Sequence, residues 1–229
     1  MVMLAMLSAG ICSCEKENNG NNSGENGGET PGGGTSEAWV DLGLPSGRLW
    51  ATCNLGATKP EEYGDYYAWG ETTPKEVYDW STYEYCNGGN SQLTKYCNNS
   101  SYGYNGFTDT LTVLKDMDDA ATAKLGSGAR MPTQADWDEL ISNTTSEWIT
   151  VNDVSGRKFT AANGKSLFLP AAGGRWDGSL INAGSNGYYW STSLYTDFPS
   201  YAWNCNFNSG DVGMYDGNRN GGHTVRAVR

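Results

Sequence analysis

The chain has 229 residues, of which 31 are glycine, 14 are tyrosine and 9 are tryptophan, while only 18% are charged. Its formal net charge of −11 excludes nucleic acids and anionic membrane surfaces as natural partners, because like charges repel. The length allows one domain of moderate size and a tail. The composition favours a loop-rich, β-containing domain, held together by aromatic side chains, and not a helical bundle.

The N-terminus has the features of an export signal. Residues 1–11 are an apolar run that is too short to span a bilayer and has the size of a signal-peptide core. The segment from Ile11 to Cys14 resembles a bacterial lipobox, with a small residue directly before the cysteine and an aliphatic residue three positions before it. We therefore expect residues 1–14 to be a lipoprotein signal peptide and lipobox, with lipidation at Cys14. The lipid would anchor the chain to a membrane without spanning it.

A tether follows the lipobox. Residues 15–37 are rich in Asn, Gly, Glu and Ser and cannot bury a core, so we expect them to be flexible. The acidic start of this segment resembles the surface-export signals of gut Bacteroidetes lipoproteins. We expect a lipid-anchored outer-membrane protein at the cell surface, although a tether that extends into the periplasm stays open. The domain would then span residues 38–229.

The first half of the domain contains short strands and a long loop. Residues 38–57 predict two strands around a Pro-Ser-Gly turn, and residues 63–72 predict an aromatic strand bounded by glycines. Residues 73–112 show no regular hydrophobic periodicity and indicate a long loop that is anchored to the domain by tyrosine side chains. The residues that we expect in the core of the first two strands are Trp39, Leu42, Leu49 and Trp50.

Two helices follow the long loop. Residues 116–126 predict a short helix with acids in its first turn, Lys124 in its last and Gly126 at its end. Its three aspartates could instead bind calcium, although they lack EF-hand spacing. A second helix begins after Thr133, because Thr133 and Asp136 have the spacing of a capping box. Arg130 precedes that helix and could pair with a carboxylate that the sequence does not identify.

The second half of the domain consists of strands. The apolar run at residues 166–174 predicts a central strand, and residues 187–192 and 224–229 predict two more. Alternation over residues 201–215 predicts a hairpin, with Trp203, Cys205 and Phe207 buried and Asn204, Asn206 and Asn208 exposed. We expect Gly210 to supply a positive φ in its turn. Val212 and Met214 would lie on the buried face of the return strand, and Asp211, Gly213 and Tyr215 on the exposed face.

Six ordered motifs identify a family resemblance. They lie at residues 50–57, 67–72, 130–133, 168–173, 187–191 and 224–226. Together they resemble the Fibrobacter succinogenes major paralogous domain of Bacteroidetes surface lipoproteins, which is related to formylglycine-generating enzymes. The resemblance covers residues 39–229. It implies an α+β, C-type-lectin-like fold with small antiparallel sheets, two short helices, long loops and neighbouring termini.

The C-terminal region, residues 182–223, also resembles the variable region of target proteins of diversity-generating retroelements. In those systems template adenines are copied to random bases, so an Asn codon AAC can become a codon for Tyr, Asp, Ser, Gly, His or Thr. The codons of Trp203 and Phe207 contain no adenine and would be spared. The resemblance implies that the following residues bind ligand: Tyr195, Asp197, Tyr201, Asn204, Asn206, Asn208, Asp211, Tyr215, Asp216, Asn218, Asn220 and His223. An undiversified member of the same family is the alternative.

The expected function is binding and not catalysis. A single histidine, His223, in a Gly-rich segment provides no Ser-His-Asp or Cys-His set. Formylglycine-type oxidation needs two active-site cysteines near the C-terminal end, and only Cys205 is there. Tyr and Asn at exposed positions are typical of surfaces that bind protein or glycan. We expect an extracellular protein or glycan as partner, no cofactor and no metal; the alternative is a structural or interaction lipoprotein of the cell envelope.

Four cysteines, Cys53, Cys86, Cys97 and Cys205, remain after the lipobox. An exported domain can keep disulfides, and four cysteines allow three pairings. Cys86 with Cys97 would close a short loop and is the favoured pair, while free buried thiols are the alternative.

Overall fold

A computed structural model describes residues 38–229, which form mainly small antiparallel sheets with two short α-helices. The predicted signal peptide 1–14 with Cys14, and the predicted tether 15–37, lie outside the described residues. The helices are α1 (Ala120–Leu125) and α2 (Gln134–Asn143). The strands are β1 (Trp39–Asp41), β2 (Leu49–Ala51), β3 (Thr144–Val151), β4 (Val154–Ala161), β5 (Ser166–Pro170), β6 (Gly174–Trp176), β7 (Ser179–Ile181), β8 (Gly187–Leu194), β9 (Tyr201–Phe207) and β10 (Val212–Asn218).

The strands form four antiparallel sheets. Two have three strands, in the orders β10-β9-β8 and β3-β4-β5, and two are the hairpins β1-β2 and β6-β7. The strand predicted at residues 166–174 therefore exists in part as β5, but it is an edge strand, and β4 takes the central position. The two strands predicted at residues 38–57, the strand at 187–192 and the hairpin at 201–215 are confirmed as β1, β2, β8, β9 and β10.

The C-terminal segment does not form the regular strand that residues 224–229 predict. It runs extended between two partners and makes isolated bridges with each of them. The Ala51 amide donates to the Ala227 carbonyl at 2.9 Å on one side, and the Arg130 amide donates to the Val228 carbonyl at 2.9 Å on the other. The last residues thus join the first hairpin to the segment before α2.

The predicted aromatic strand at residues 63–72 is also absent as a regular element. Its backbone instead bonds at separate points to residues 219–223, for example from the Trp69 amide to the Arg219 carbonyl at 2.9 Å. The tyrosine-pinned loop predicted at residues 73–112 is confirmed: isolated bridges and one 3₁₀ turn (Tyr104–Gly106) are its regular features. Tyr78, Tyr83 and Tyr96 of this loop are buried.

The second helix begins as its capping box predicts. The Thr133 side chain accepts from the Asp136 amide at 3.1 Å, and Asp136 accepts from the Thr133 amide at 2.7 Å. Arg130 supplies the predicted ion pair, with its Nη1 2.7 Å from an Asp136 carboxylate oxygen. Helix α2 then packs Trp137 against Trp50, with ring centroids 4.8 Å apart.

The acids before α1 bind the protein itself. Asp119 caps α1 by accepting from the Ala121 and Thr122 amides. Asp118 accepts from the hydroxyls of Tyr85 and Tyr96 and lies 2.6 Å from Lys95 Nζ. These contacts use the carboxylates of Asp118 and Asp119, two of the three aspartates for which calcium was the alternative, and no group of three or more metal-binding side chains occurs within residues 38–229.

The four described cysteines are free thiols. Cys86 Sγ donates to the Trp80 carbonyl at 3.1 Å, and Cys97 Sγ donates to the Asn99 carbonyl at 3.2 Å. The favoured Cys86–Cys97 disulfide is therefore wrong, because each thiol bonds to a separate carbonyl. None of the helices in the described part of the chain is long and apolar enough to cross a membrane.

Candidate ligand-binding surface

The hairpin of β9 and β10 lies at one edge of its sheet, with Gly213 opposite Asn206 and Asp216 opposite Trp203. Its turn is closed by Asn208, whose side chain accepts from the amides of Gly210 and Asp211 at 2.8 and 3.1 Å. Gly210 does not have the predicted positive φ. The asparagine side chain therefore takes over the role that was assigned to the glycine.

The buried face of the hairpin is predicted correctly at its tip. Cys205 and Phe207 are buried, and Val212 and Met214 pack against the same core cluster, which includes Trp137 of α2. Towards the start of β9 the assignment is wrong. Trp203 is only half-buried, while Asn204 on the opposite face is 2% exposed.

The error arises because different faces of the sheet are covered by core residues at its two ends. A second core cluster, with Trp190 and Ala202, covers the Asn204 face at the start of β9. A register shift in β8 between Trp190 and Leu194 accompanies the change. Strand β9 therefore packs one face against the core near the hairpin turn and the opposite face against the core at its start. Buried and exposed side chains cannot alternate strictly along its whole length.

The predicted site residues divide into three groups by exposure. Four are exposed: Asp197, Asp211, Tyr215 and Asp216. Five are half-buried: Tyr195, Tyr201, Asn206, Asn208 and Asn218. Three are buried, and for these the predicted exposure is wrong: Asn204, Asn220 and His223.

The three buried residues are part of the packing. Asn204 Nδ2 donates to the Tyr215 carbonyl at 3.1 Å, and Asn220 Nδ2 donates to the Tyr78 carbonyl at 3.3 Å. His223 stacks on Trp190, with ring centroids 3.9 Å apart. Both His223 ring nitrogens lack a hydrogen-bond partner among the described residues, and burial lowers the pKa of His223 to about 3. A neutral, enclosed imidazole cannot exchange protons with a surface ligand.

Exposed and half-buried residues form two surfaces. The first, the tip surface, consists of Tyr188, Asn206, Gly213, Tyr215 and the turn residues 208–211. Register places Asn206 between Tyr188 and Gly213, and the Tyr215 ring lies over Gly213. The Tyr215 hydroxyl donates to an Asp211 carboxylate oxygen at 2.6 Å. This hydrogen bond lowers the pKa of Asp211 and raises the pKa of Tyr215.

The second surface, the aromatic row, consists of Trp203, Tyr195, Phe198 and Tyr102. The Trp203 and Tyr195 rings meet edge to face at 4.9 Å, and the Tyr195 and Phe198 rings stack at 6.1 Å. Tyr102 from the long loop meets Phe198 edge to face at 6.4 Å. Phe198 is 49% exposed, so the row is open to solvent.

Sequence reasoning missed four aromatic residues of these surfaces: Tyr188, Trp203, Phe198 and Tyr102. Trp203 was assigned to the core by alternation, and Tyr102 lies far away in the chain. Phe198 offered a signal, because an aromatic residue between Asp197 and Pro199 in a turn has little opportunity to reach the core. Asp197 and Asp216 flank the row without a side-chain hydrogen bond or ion pair to any described residue.

Comparison with known proteins identifies a matching family model. A family model described as Domain of unknown function (DUF8237) matches residues 140–228, which include β3 to β10, the tip surface and all of the aromatic row except Tyr102. No curated protein and no solved structure matches the chain at a significant level.

Proposed function

We propose that the protein is a surface-displayed, ligand-binding lipoprotein with a C-type-lectin-like domain. In this proposal the tip surface and the aromatic row bind an extracellular protein or glycan, and the exposed positions of residues 182–223 are diversified by a retroelement. Cys14 carries the lipid anchor in the outer membrane, and residues 15–37 hold the domain at the cell surface. Binding needs no cofactor and involves no nucleic acid.

The observation that carries the proposal is the contrast between the exposed side chains and their support. Tyr215 is 44% exposed, whereas Cys205 and Phe207 on the opposite face of the same hairpin are at most 1% exposed. Tyrosine provides a large contact area at low entropic cost, while Asn and Asp provide adaptable hydrogen bonds. The exposed side chains of this hairpin can therefore be substituted without altering the core beneath it.

The arrangement of the chain supports the proposed fold. The first hairpin and the last residues are neighbours, with the Leu49 amide donating to the Arg229 carbonyl at 3.0 Å. Residues from the six motifs also meet in the interior. Trp190 Nε1 donates to the Tyr67 carbonyl at 2.8 Å, and Arg226 Nη2 donates to Asn54 Oδ1 at 2.8 Å.

A binding experiment with matched variants tests the proposal. The purified full chain is applied to an array of defined glycans and to purified mucins, and retention is compared between wild type, Tyr215→Ala and Tyr104→Ala. Tyr104 is a suitable control because it is 42% exposed and lies outside both surfaces. We expect Tyr215→Ala to weaken retention about tenfold and Tyr104→Ala to leave it unchanged. Equal retention of both variants on every bound probe, or no bound probe at all, would contradict the proposal.

A further inference from the structure

The aromatic row has the features of a subsite for positive charge. We infer that it binds a lysine or arginine side chain in a basic segment of a protein ligand. This inference rests on the proposed ligand-binding function and adds the chemistry of the partner.

Charge at the row points to a cation. Asp216 lies directly opposite Trp203 on the neighbouring strand, and residues in that relation share a face of the sheet. Asp197 is adjacent in the chain to Phe198, the third ring of the row. Both carboxylates are exposed. Across residues 38–229, neither takes part in any of the ion pairs.

Aromatic faces reinforce this preference. A cation within about 6 Å of a ring centroid is attracted by the negative face of the ring. Each Lys or Arg that lies over a ring in the described structure does so elsewhere, and none lies over Trp203, Tyr195, Phe198 or Tyr102. The row therefore offers rings and carboxylates whose cation is not supplied by the described chain.

The same combination occurs inside the domain with its cation present. Lys95 Nζ lies 4.8 Å from the centroid of the Tyr85 ring and 5.4 Å from that of Tyr96. The same ammonium is 2.6 Å from Asp118 Oδ2. Rings beside a carboxylate thus hold a lysine in this protein, and the aromatic row offers the same two kinds of group, aromatic rings and carboxylates, where a ligand can reach them.

Two peptides that differ only in charge test the inference. The full chain is titrated by calorimetry with acetyl-Gly-Arg-Gly-Arg-Gly-amide and with the same peptide carrying citrulline, the neutral isostere of arginine. We expect saturable binding of the arginine peptide and binding of the citrulline peptide that is weaker by about tenfold. The double variant Asp197→Asn with Asp216→Asn, and separately Phe198→Ala, should each weaken the arginine peptide about tenfold.

The control removes the same charge elsewhere. Glu76 and Asp153 are exposed, and the variant Glu76→Gln with Asp153→Asn should change the affinity for the arginine peptide by less than about twofold. An equal loss in both double variants, equal binding of the two peptides or no saturable binding would overturn the inference. If the peptides fail while Tyr215-dependent retention on the arrays persists, only the cationic partner is lost. If that retention also fails, the proposed function falls with it.

Discussion

The guanidinium of Arg226 donates two hydrogen bonds to the side-chain oxygen of Asn54, from Nε at 3.0 Å and from Nη2 at 2.8 Å. Both residues are buried, and no carboxylate accepts from the guanidinium within the described residues; its remaining bonds go to the carbonyls of Ala51 and Thr52. The pair joins the first and last of the six motifs. It fixes the C-terminal segment against the beginning of the domain.

Loss of the Asn54 side chain should therefore destabilise the domain strongly. Asn54→Ala removes the oxygen that accepts two hydrogen bonds from the buried Arg226 guanidinium. We expect the free energy of unfolding to fall by about 2–4 kcal/mol. Urea denaturation measures the change. Asn90→Ala, in the long loop, is the control and should cost less than about 0.5 kcal/mol. A similar small cost for Asn54→Ala would mean that the pair does not stabilise the fold.

Acid should destabilise the protein through His223. Its folded pKa of about 3 lies below its ordinary value of 6.5, so the unfolded chain takes up a proton first as the pH falls. The stabilisation is complete above pH 6.5 and is lost towards pH 3. Between about pH 7 and about pH 4.5 the loss should be about 2–3 kcal/mol.

His223→Phe isolates this contribution. The aromatic replacement retains stacking on Trp190 and removes the titrating group, so we expect a much smaller loss of stability than in wild type between about pH 7 and about pH 4.5. Asp118 and Asp136 have lowered pKa values, and their stabilisation is lost only as the pH falls through and below their ordinary value of 3.8. An unchanged pH dependence in His223→Phe would refute the assignment.

The close contact of Gly187 with Phe207 gives a packing prediction. A Cβ at Gly187 would lie 2.2 Å from Cζ of the buried Phe207 ring, so Gly187→Ala should cost about 1–3 kcal/mol by overpacking. A methyl group added at Gly178 would meet no other part of the described chain within 4 Å, so Gly178→Ala is the matched control. Thermal denaturation of both variants should show a lower midpoint for Gly187→Ala alone. Equal midpoints would contradict the packing of β8 on β9.

The cysteines should behave as thiols. Burial raises the pKa of Cys97 and of Cys205, so both should resist alkylation in the folded protein. After denaturation without reductant, iodoacetamide should modify all four cysteines of residues 38–229. Peptide mass spectrometry checks this directly. Recovery of Cys86 and Cys97 unmodified and linked would contradict the structure.

Local signals predicted those parts of the fold that depend on neighbouring residues. The Thr133–Asp136 capping box and the alternation around Phe207 are short-range patterns, and both are confirmed. The β3–β4 hairpin was missed although its turn residues Asn152 and Asp153, both with positive φ, stand between two polar-apolar runs. That Asn-Asp pair was the available turn signal.

Other features depend on contacts between distant residues. The predicted strand at residues 63–72 bonds instead to residues 219–223 through Tyr67 and Trp69, and nothing in its own sequence indicates those partners. The burial of Asn204 and His223 follows from packing around Trp190, and Tyr102 reaches the aromatic row from the long loop. Alternation assigns faces only where one side of a sheet is covered along its whole length.

Deep sequencing of the 3′ end of the gene across a population of the source strain tests the central claim most directly. The account predicts amino-acid variation at the exposed positions Asp197, Asp211, Tyr215 and Asp216, and at half-buried Asn206, with Trp203 and Phe207 fixed. Buried Asn204 and His223 should vary far less, because their side chains pack in the interior. A uniform sequence across the population, or variation that is as frequent at buried as at exposed positions, would contradict a diversified binding surface.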